Sequence, residues 1–218
     1  MYISRLSPPI RALVLLSGFC FVLEAFRLIT TQTLGYIFLP WNLCLAWVPL
    51  LLATAIQQQQ SQTKVTLLSA VWLLFFPNAP YIITDLLHLK PRHTIPHWYD
   101  VLLIYSYAFT GFMLGIYSAL LVYAKWNQFA PSWFARLVMC AAMLLAGYGI
   151  YLGRFLRWNS WDAFLNPLQI VQDTFHRIVH PLNHLQTYGV TLLCGALLYL
   201  SFLVVESFYY STNQTTEQ

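Results

Sequence analysis

Apolar residues fall into six runs along the chain, at roughly 10–29, 37–56, 64–88, 99–124, 133–153 and 186–208, each bounded by charges, prolines or polar clusters. At about 1.5 Å of rise per residue, every run is long enough to cross about 30 Å of hydrocarbon as a helix. The polar joins are short. Residues 57–62 are glutamines and a serine, and 125–132 carries Pro131 as a helix breaker. The pattern predicts an all-α integral membrane bundle of about six transmembrane helices. It forms a single domain over residues 1–210, followed by a polar, disordered tail at 211–218.

The first run follows Arg5 and Arg11, as the apolar core of a signal peptide would. It is too long for one, contains Glu24 and Arg27, and lacks an Ala-x-Ala site after it. It reads as a retained first helix. The longest link, 154–184, has its own periodicity: Ile170, Val171, Phe175, Ile178, Val179 and Leu182 recur at helical spacing beside Gln172, Asp173, His176 and Arg177. This suits a short interfacial helix lying in the headgroup plane. A helix packed on the protein's own loops fits the same pattern.

Composition removes the soluble alternative. Of 218 residues, 59% are hydrophobic and 8% charged, against about 25% charged in a soluble domain. The net charge of +4 is dispersed. It excludes nucleic acid as a partner and leaves membrane lipids, whose anionic headgroups match it. Cys20, Cys44, Cys140 and Cys194 each sit inside an apolar run without CxxC spacing, as packing residues do. No pattern identifies a cofactor.

In an up-and-down bundle, the ends of odd-numbered helices and the starts of even-numbered ones share one membrane face. Glu24 and Arg27 close the first helix, and Pro40, Trp41 and Asn42 open the second. Asn78, Thr84, Asp85 and His88 close the third, while His97, Trp98, Tyr99 and Asp100 open the fourth. Arg154, Arg157, Trp158, Asn159, Trp161 and Asp162 close the fifth, and Asn183 and His184 lead into the sixth. The opposite face receives Lys64, Lys125, Arg136 and glutamines. Polar side chains in membrane segments are costly and face a cavity or a partner. A shallow polar funnel is expected on the first face.

Glu24 and Arg27, three apart, either neutralise each other or serve that funnel. In 76–81, Pro77 and Pro80 remove two amide donors and free carbonyls at membrane depth, where Asn78 can re-satisfy them or hold a ligand. Arg154 and Arg157, three apart at a helix end, present guanidinium forks suited to phosphate or carboxylate. Asn159, Ser160 and Asp162 stand beside them as further binding candidates, with Asn78, Asn42 and Glu24. Asp85, Asp100 and His88 are the candidates for acid–base chemistry. Asp85 with His88, and His97 with Asp100, are spaced i, i+3, but with His93 they match no established metal motif, and no metal is assigned. His176, His180 and His184 step by four, yet Pro181 interrupts them, so a shared ligand face is not expected.

The chain resembles a bacterial membrane family catalogued as domain of unknown function 1361. The residues carrying the resemblance are Phe38-Leu39-Pro40-Trp41-Asn42-Leu43 with Ala46-Trp47, Pro77-Asn78-Ala79-Pro80-Tyr81 with Thr84-Asp85, Trp98-Tyr99-Asp100, and the stretch from Gly153-Arg154 to Asp162. The resemblance implies a multi-pass protein of the bacterial plasma membrane and supplies no catalytic roles.

The balance of Lys and Arg across the two faces is five against six, but the first helix has two arginines before it and only Arg27 just after. That favours cytoplasmic N- and C-termini and an extracytoplasmic funnel. Three functions fit this arrangement. One is binding or processing of an anionic, lipid-linked substrate, with Arg154 and Arg157 on the anion. Another is a small proton-coupled transporter, against which the apolar midplane and the lack of a repeat both weigh. The third is a non-catalytic subunit that docks another membrane protein or a second copy.

Overall fold

A computed structural model describes residues 7–89 and 95–215, with side chains as far as Tyr209. Helix α1 spans Pro8–Thr31, α2 Phe38–Gln57 and α3 Gln62–Phe75. The third span continues through a short α4, Asn78–Tyr81, and a 3₁₀ turn, Ile82–His88. Helices α5, His97–Trp126, and α6, Ser132–Phe155, follow. The long link holds α7, Asp162–Leu165, and α8, Pro167–Val179, before a 3₁₀ turn at Pro181–His184 leads into α9, Leu185–Thr215. Six spans are long and apolar enough to cross a membrane, and no strand occurs among the described residues. The chain is an all-α, multi-pass membrane bundle.

The helix boundaries follow from local chemistry. Pro8, Pro96, Pro131 and Pro167 stand at or just before helix starts, where a missing N–H costs nothing. Helix α1 ends where Gln32 turns left-handed at φ 50° and returns its N–H to Leu28 O. The last helix is drawn to Thr215, into the stretch read as a tail, while 216–218 lie outside the described residues. Arg5, Lys90, Arg92 and His93 lie outside them too.

Helix α5 is the centre of the bundle, burying Leu103, Tyr107, Leu114, Ala119 and Tyr123. One apolar cluster joins it to α1, α2 and α4, and a second joins it to α3, α6 and α9. The proline break is clasped between α5 and α6. A Cβ on Gly111 would lie 2.6 Å from Ala79 O, and one on Gly149 would lie 2.5 Å from Pro77 Cγ. Only hydrogen at those two positions lets both helices close on the break. Helix α8 turns Val171, Phe175 and Ile178 outward, each at least 63% exposed. That is the apolar face expected of a helix lying in an interface.

Candidate functional site

The break in the third span is repaired from two directions. Pro77 and Pro80 have no N–H to donate, and the turn tightens between them, with Ala79 N donating to Phe76 O at 3.2 Å, so that Leu74 O and Phe75 O are left to side chains. Asn78 Nδ2 donates to Phe75 O at 3.0 Å, and Ser160 Oγ donates to Leu74 O at 3.1 Å. Asn78 also donates to Ser160 Oγ, at 3.0 Å. The loop after α6 is thereby stitched to the break. Ser160 stands in the cluster that the sequence marks for binding, and only the fold reveals its partners.

Next to this seam lies the first polar cluster. Asp85 is 1% exposed as a side chain and receives Asn42 Nδ2 on Oδ2 at 2.8 Å. Arg154 reaches it from α6, with Nη1 3.4 Å from Oδ1. The same guanidinium donates through Nη2 to Thr84 O at 2.8 Å and stands 3.0 Å from His88 Nδ1. His88 Nδ1 is also 3.6 Å from Asp85 Oδ1, and its side chain is 47% exposed. Three elements, α2, the 3₁₀ turn and α6, thus meet at one carboxylate. With Arg154 facing it, His88 Nδ1 accepts, which puts the ring hydrogen on Nε2. The guanidinium occupies the position beside Asp85 and His88 that a metal would need.

A second cluster joins α1 to α5. Arg27 Nε donates to Asp100 Oδ1 at 2.8 Å, with both side chains almost wholly buried. The guanidinium lies 4.3 Å from the centre of the Tyr36 ring. Tyr99 OH donates to Leu23 O at 2.7 Å beside it. Among the described residues, buried Glu24 has no hydrogen-bond partner, and neither do Nη1 and Nη2 of Arg27. Arg27 thus pairs across the bundle with Asp100, not along its own helix with Glu24. Rings bridge the two clusters: Tyr36 meets Phe38 edge-on, and Phe38 lies 5.1 Å from the His88 ring.

A cavity of about 300 Å³ opens beside the first cluster, between α2–α3–α4 on one side and α6 with the following loop on the other. Leu45, Leu73, Leu74 and Leu145 give it an apolar floor, while Asn42, Asn78, Asn159 and Ser160 stand on its wall. Trp41, Tyr81, Tyr148 and Trp158 supply aromatic surface. The wall is braced from outside. Trp158 Nε1 donates to Asp173 Oδ2 at 3.0 Å, and Asp162 Oδ2 accepts from the backbone N of Asn159 at 2.7 Å.

The expected gathering at one end of the bundle is therefore real for Asn42, Asp85, His88 and Arg154, for Asn78 and Asn159, and for Glu24 with Asp100. Two expectations change. Arg157 lies beyond the end of α6, at φ 61° and exposed, so it does not share a helix face with Arg154. Asp162 holds Asn159 in place instead of lining the cavity. Elsewhere, the turn at Pro181 folds the chain back, so that His176 Nδ1 meets His184 Nε2 at 3.1 Å. Among the described residues, however, no three His, Cys, Asp or Glu side chains are arranged to hold a metal ion.

A family model matches residues 41–201, nearly three quarters of the chain. The chain belongs to the family described as Protein of unknown function (DUF1361). The match takes in every lining residue of the cavity and the whole Asp85 cluster, whereas Glu24 and Arg27 precede it. No curated protein matches the chain. No solved structure does either.

Proposed function

We propose that this protein binds the polar head of a lipid or lipid-linked substrate at one face of the bacterial plasma membrane. The extracytoplasmic face is favoured by Arg5 and Arg11 at the N-terminal end of the first span. The observation that carries the reading is the cavity itself. It has a leucine floor supplied by helices long and apolar enough to cross a membrane, and a wall of amides, a hydroxyl and aromatic rings. An apolar cleft with a few convergent polar groups is the usual form of a ligand site. One whose floor lies at membrane depth suits an amphiphile.

Asp85, Arg154 and Asn42 act in this reading as the frame that fixes the wall. Both Asp85 oxygens already face partners, so its role is to position Asn42 and Arg154. Asp100 holds α1 against α5 in the same way. The anion expected for Arg154 loses support, because that guanidinium is already engaged by Asp85, Thr84 and His88. If chemistry follows binding, half-exposed His88 has the free ring nitrogen to move a proton.

The test is lipid retention. Protein purified from bacterial membranes and examined by native mass spectrometry should carry bound lipid. Leu145→Trp, which places a large ring in the cavity from its floor, should strip that lipid without lowering expression. Equal lipid occupancy in the filled variant would defeat the reading.

A further inference from the structure

The wall of the cavity discriminates by hydrogen-bond polarity. Asn42 Nδ2 donates to Asp85 Oδ2 at 2.8 Å, Asn78 Nδ2 to Phe75 O at 3.0 Å, and Asn159 Nδ2 to Asp162 Oδ2 at 3.2 Å. A carboxylate and a backbone carbonyl only accept. Each partner therefore dictates which end of the amide faces it, and in all three asparagines Oδ1 is the atom left over. None of these oxygens receives a hydrogen bond from the described residues.

The neighbouring donors are already engaged. Ser160 gives its hydrogen to Leu74 O, and Trp158 gives its own to Asp173. Tyr148 OH lies 2.9 Å from Thr174 Oγ1, whose hydrogen goes to Ile170 O, so Tyr148 must be the donor of that pair. Trp41 and Tyr81 keep one donor each and offer ring faces, and Asn42 and Asn159 each keep a second Nδ2 hydrogen beside the unmet oxygen.

No lining side chain is charged. The nearest carboxylates are occupied: Asp85 by Arg154 and Asn42, Asp162 by Asn159, Asp173 by Trp158 and Arg177. A phosphate or carboxylate head would leave the three Oδ1 atoms unmet and bring a charge that no lining side chain balances. An ammonium head would bring donors, but no carboxylate lines the cavity to pair with its charge, and burying it unpaired would be costly. A hydroxyl-bearing head satisfies both conditions, and its C–H faces can stack on aromatic rings.

We propose that the cavity takes an uncharged, hydroxyl-rich head, a glycosyl or polyol group carried on a lipid. Its hydroxyls donate to Oδ1 of Asn42, Asn78 and Asn159, and one face of the head packs on Trp41. The proposal rests on the lipid-head reading above. A volume of about 300 Å³ is at the small end of ligand pockets and fits a single ring better than a long oligosaccharide.

The experiment uses the full chain in phosphatidylcholine nanodiscs, titrated with glucosyl diacylglycerol, phosphatidic acid and free glucose, with occupancy read by native mass spectrometry. Glucosyl diacylglycerol should bind about tenfold or more tightly than phosphatidic acid, the ratio set by two or more added hydrogen bonds at about 1 kcal/mol each. Asn78→Leu should erase most of that preference. Trp41→Ala, at a residue 60% exposed and outside the hydrogen-bonded frame, should weaken the glucosyl lipid severalfold with an unchanged melting temperature. It serves as the test if Asn78→Leu does not fold.

Phosphatidic acid binding as tightly as the glucosyl lipid, or more so, overturns the hydroxyl-rich head and leaves the lipid site standing. Free glucose matching the glucosyl lipid overturns the lipid-borne source. Binding of both lipids that Leu145→Trp does not reduce overturns the lipid-head reading itself, and this proposal with it.

Discussion

Arg154 crosses from α6 to place Nη1 3.4 Å from Asp85 Oδ1, while its Nη2 holds the Thr84 carbonyl at 2.8 Å. The pair ties the end of the broken third span to the fifth, and it does so with little water around it. Arg154 is 12% exposed and Asp85 1%. Removing one member leaves the other charge uncompensated, which costs about 3–5 kcal/mol for a buried pair. Asp85→Asn and Arg154→Met should therefore each lower the detergent melting temperature sharply. A double variant, Asp85→Asn with Arg154→Met, should recover part of the loss. Thermal unfolding followed by size-exclusion fluorescence measures both. Additive losses in the double variant would mean that the two side chains do not interact.

The Arg27–Asp100 pair is more deeply buried and has fewer alternatives. Arg27 donates to Asp100 through Nε, an atom lysine lacks. Arg27→Lys should thus be nearly as damaging as Arg27→Met, with each costing several kcal/mol by loss of a buried partner. If lysine is fully tolerated by the same melting assay, Nε geometry is not what holds α1 to α5.

These two pairs show where sequence reasoning stops. The six spans were legible because membrane crossing needs long apolar runs, and such runs have no other use. The gathering of polar residues at one end was legible for the same reason: up-and-down topology decides it without knowing any contact. Partner choice was not. Glu24 and Arg27 are three apart and invite pairing, yet the bond to Asp100 spans 73 residues, and no local rule anticipates it. Arg157 also looked like a helical neighbour of Arg154. A left-handed residue one position past a helix cap leaves no mark in composition or period. The break at 76–81 was readable as a site needing repair, because two prolines must free carbonyls. That Ser160 supplies part of the repair depended on the fold.

Ser160 offers a finer measurement. Its hydroxyl is the donor to Leu74 O, and it is also the acceptor for Asn78 Nδ2. Ser160→Ala leaves both without that partner, so about 1–3 kcal/mol should be lost. Once Asn78 is already alanine, Ser160→Ala should cost less, since one of its two partners is gone. A double-mutant cycle on melting temperature in one detergent gives the coupling. A value indistinguishable from zero would separate the loop from the break.

The clasp around the proline break sets a steric limit. A methyl on Gly149 would come within 2.5 Å of Pro77 Cγ, an atom in a rigid ring that cannot turn away. Gly149→Ala should destabilise by about 1–3 kcal/mol through overpacking, despite the better helix propensity of alanine. Gly18 has open space around it, with nothing within 4 Å of an added Cβ. Gly18→Ala should be neutral or slightly stabilising. Equal effects at the two positions would remove the steric argument.

Sidedness is the condition on which the site depends, and it can be probed directly. Trp41 and His88 reach the surface at the polar end, and Gln58 stands at the turn between α2 and α3 on the other. In a cysteine-free background, Trp41→Cys and His88→Cys should react with a membrane-impermeant maleimide in intact cells. Gln58→Cys should react only after the membrane is opened. The expectation follows from Arg5 and Arg11, at the N-terminal end of the first span, keeping the N-terminus inside. The reverse labelling pattern would invert the protein and turn the cavity toward the cytoplasm, with the pocket chemistry unchanged. Labelling of Trp41→Cys and His88→Cys from different sides would separate the ends of α2 and the third span. The Asn42–Asp85 hydrogen bond, at 2.8 Å, could not then exist.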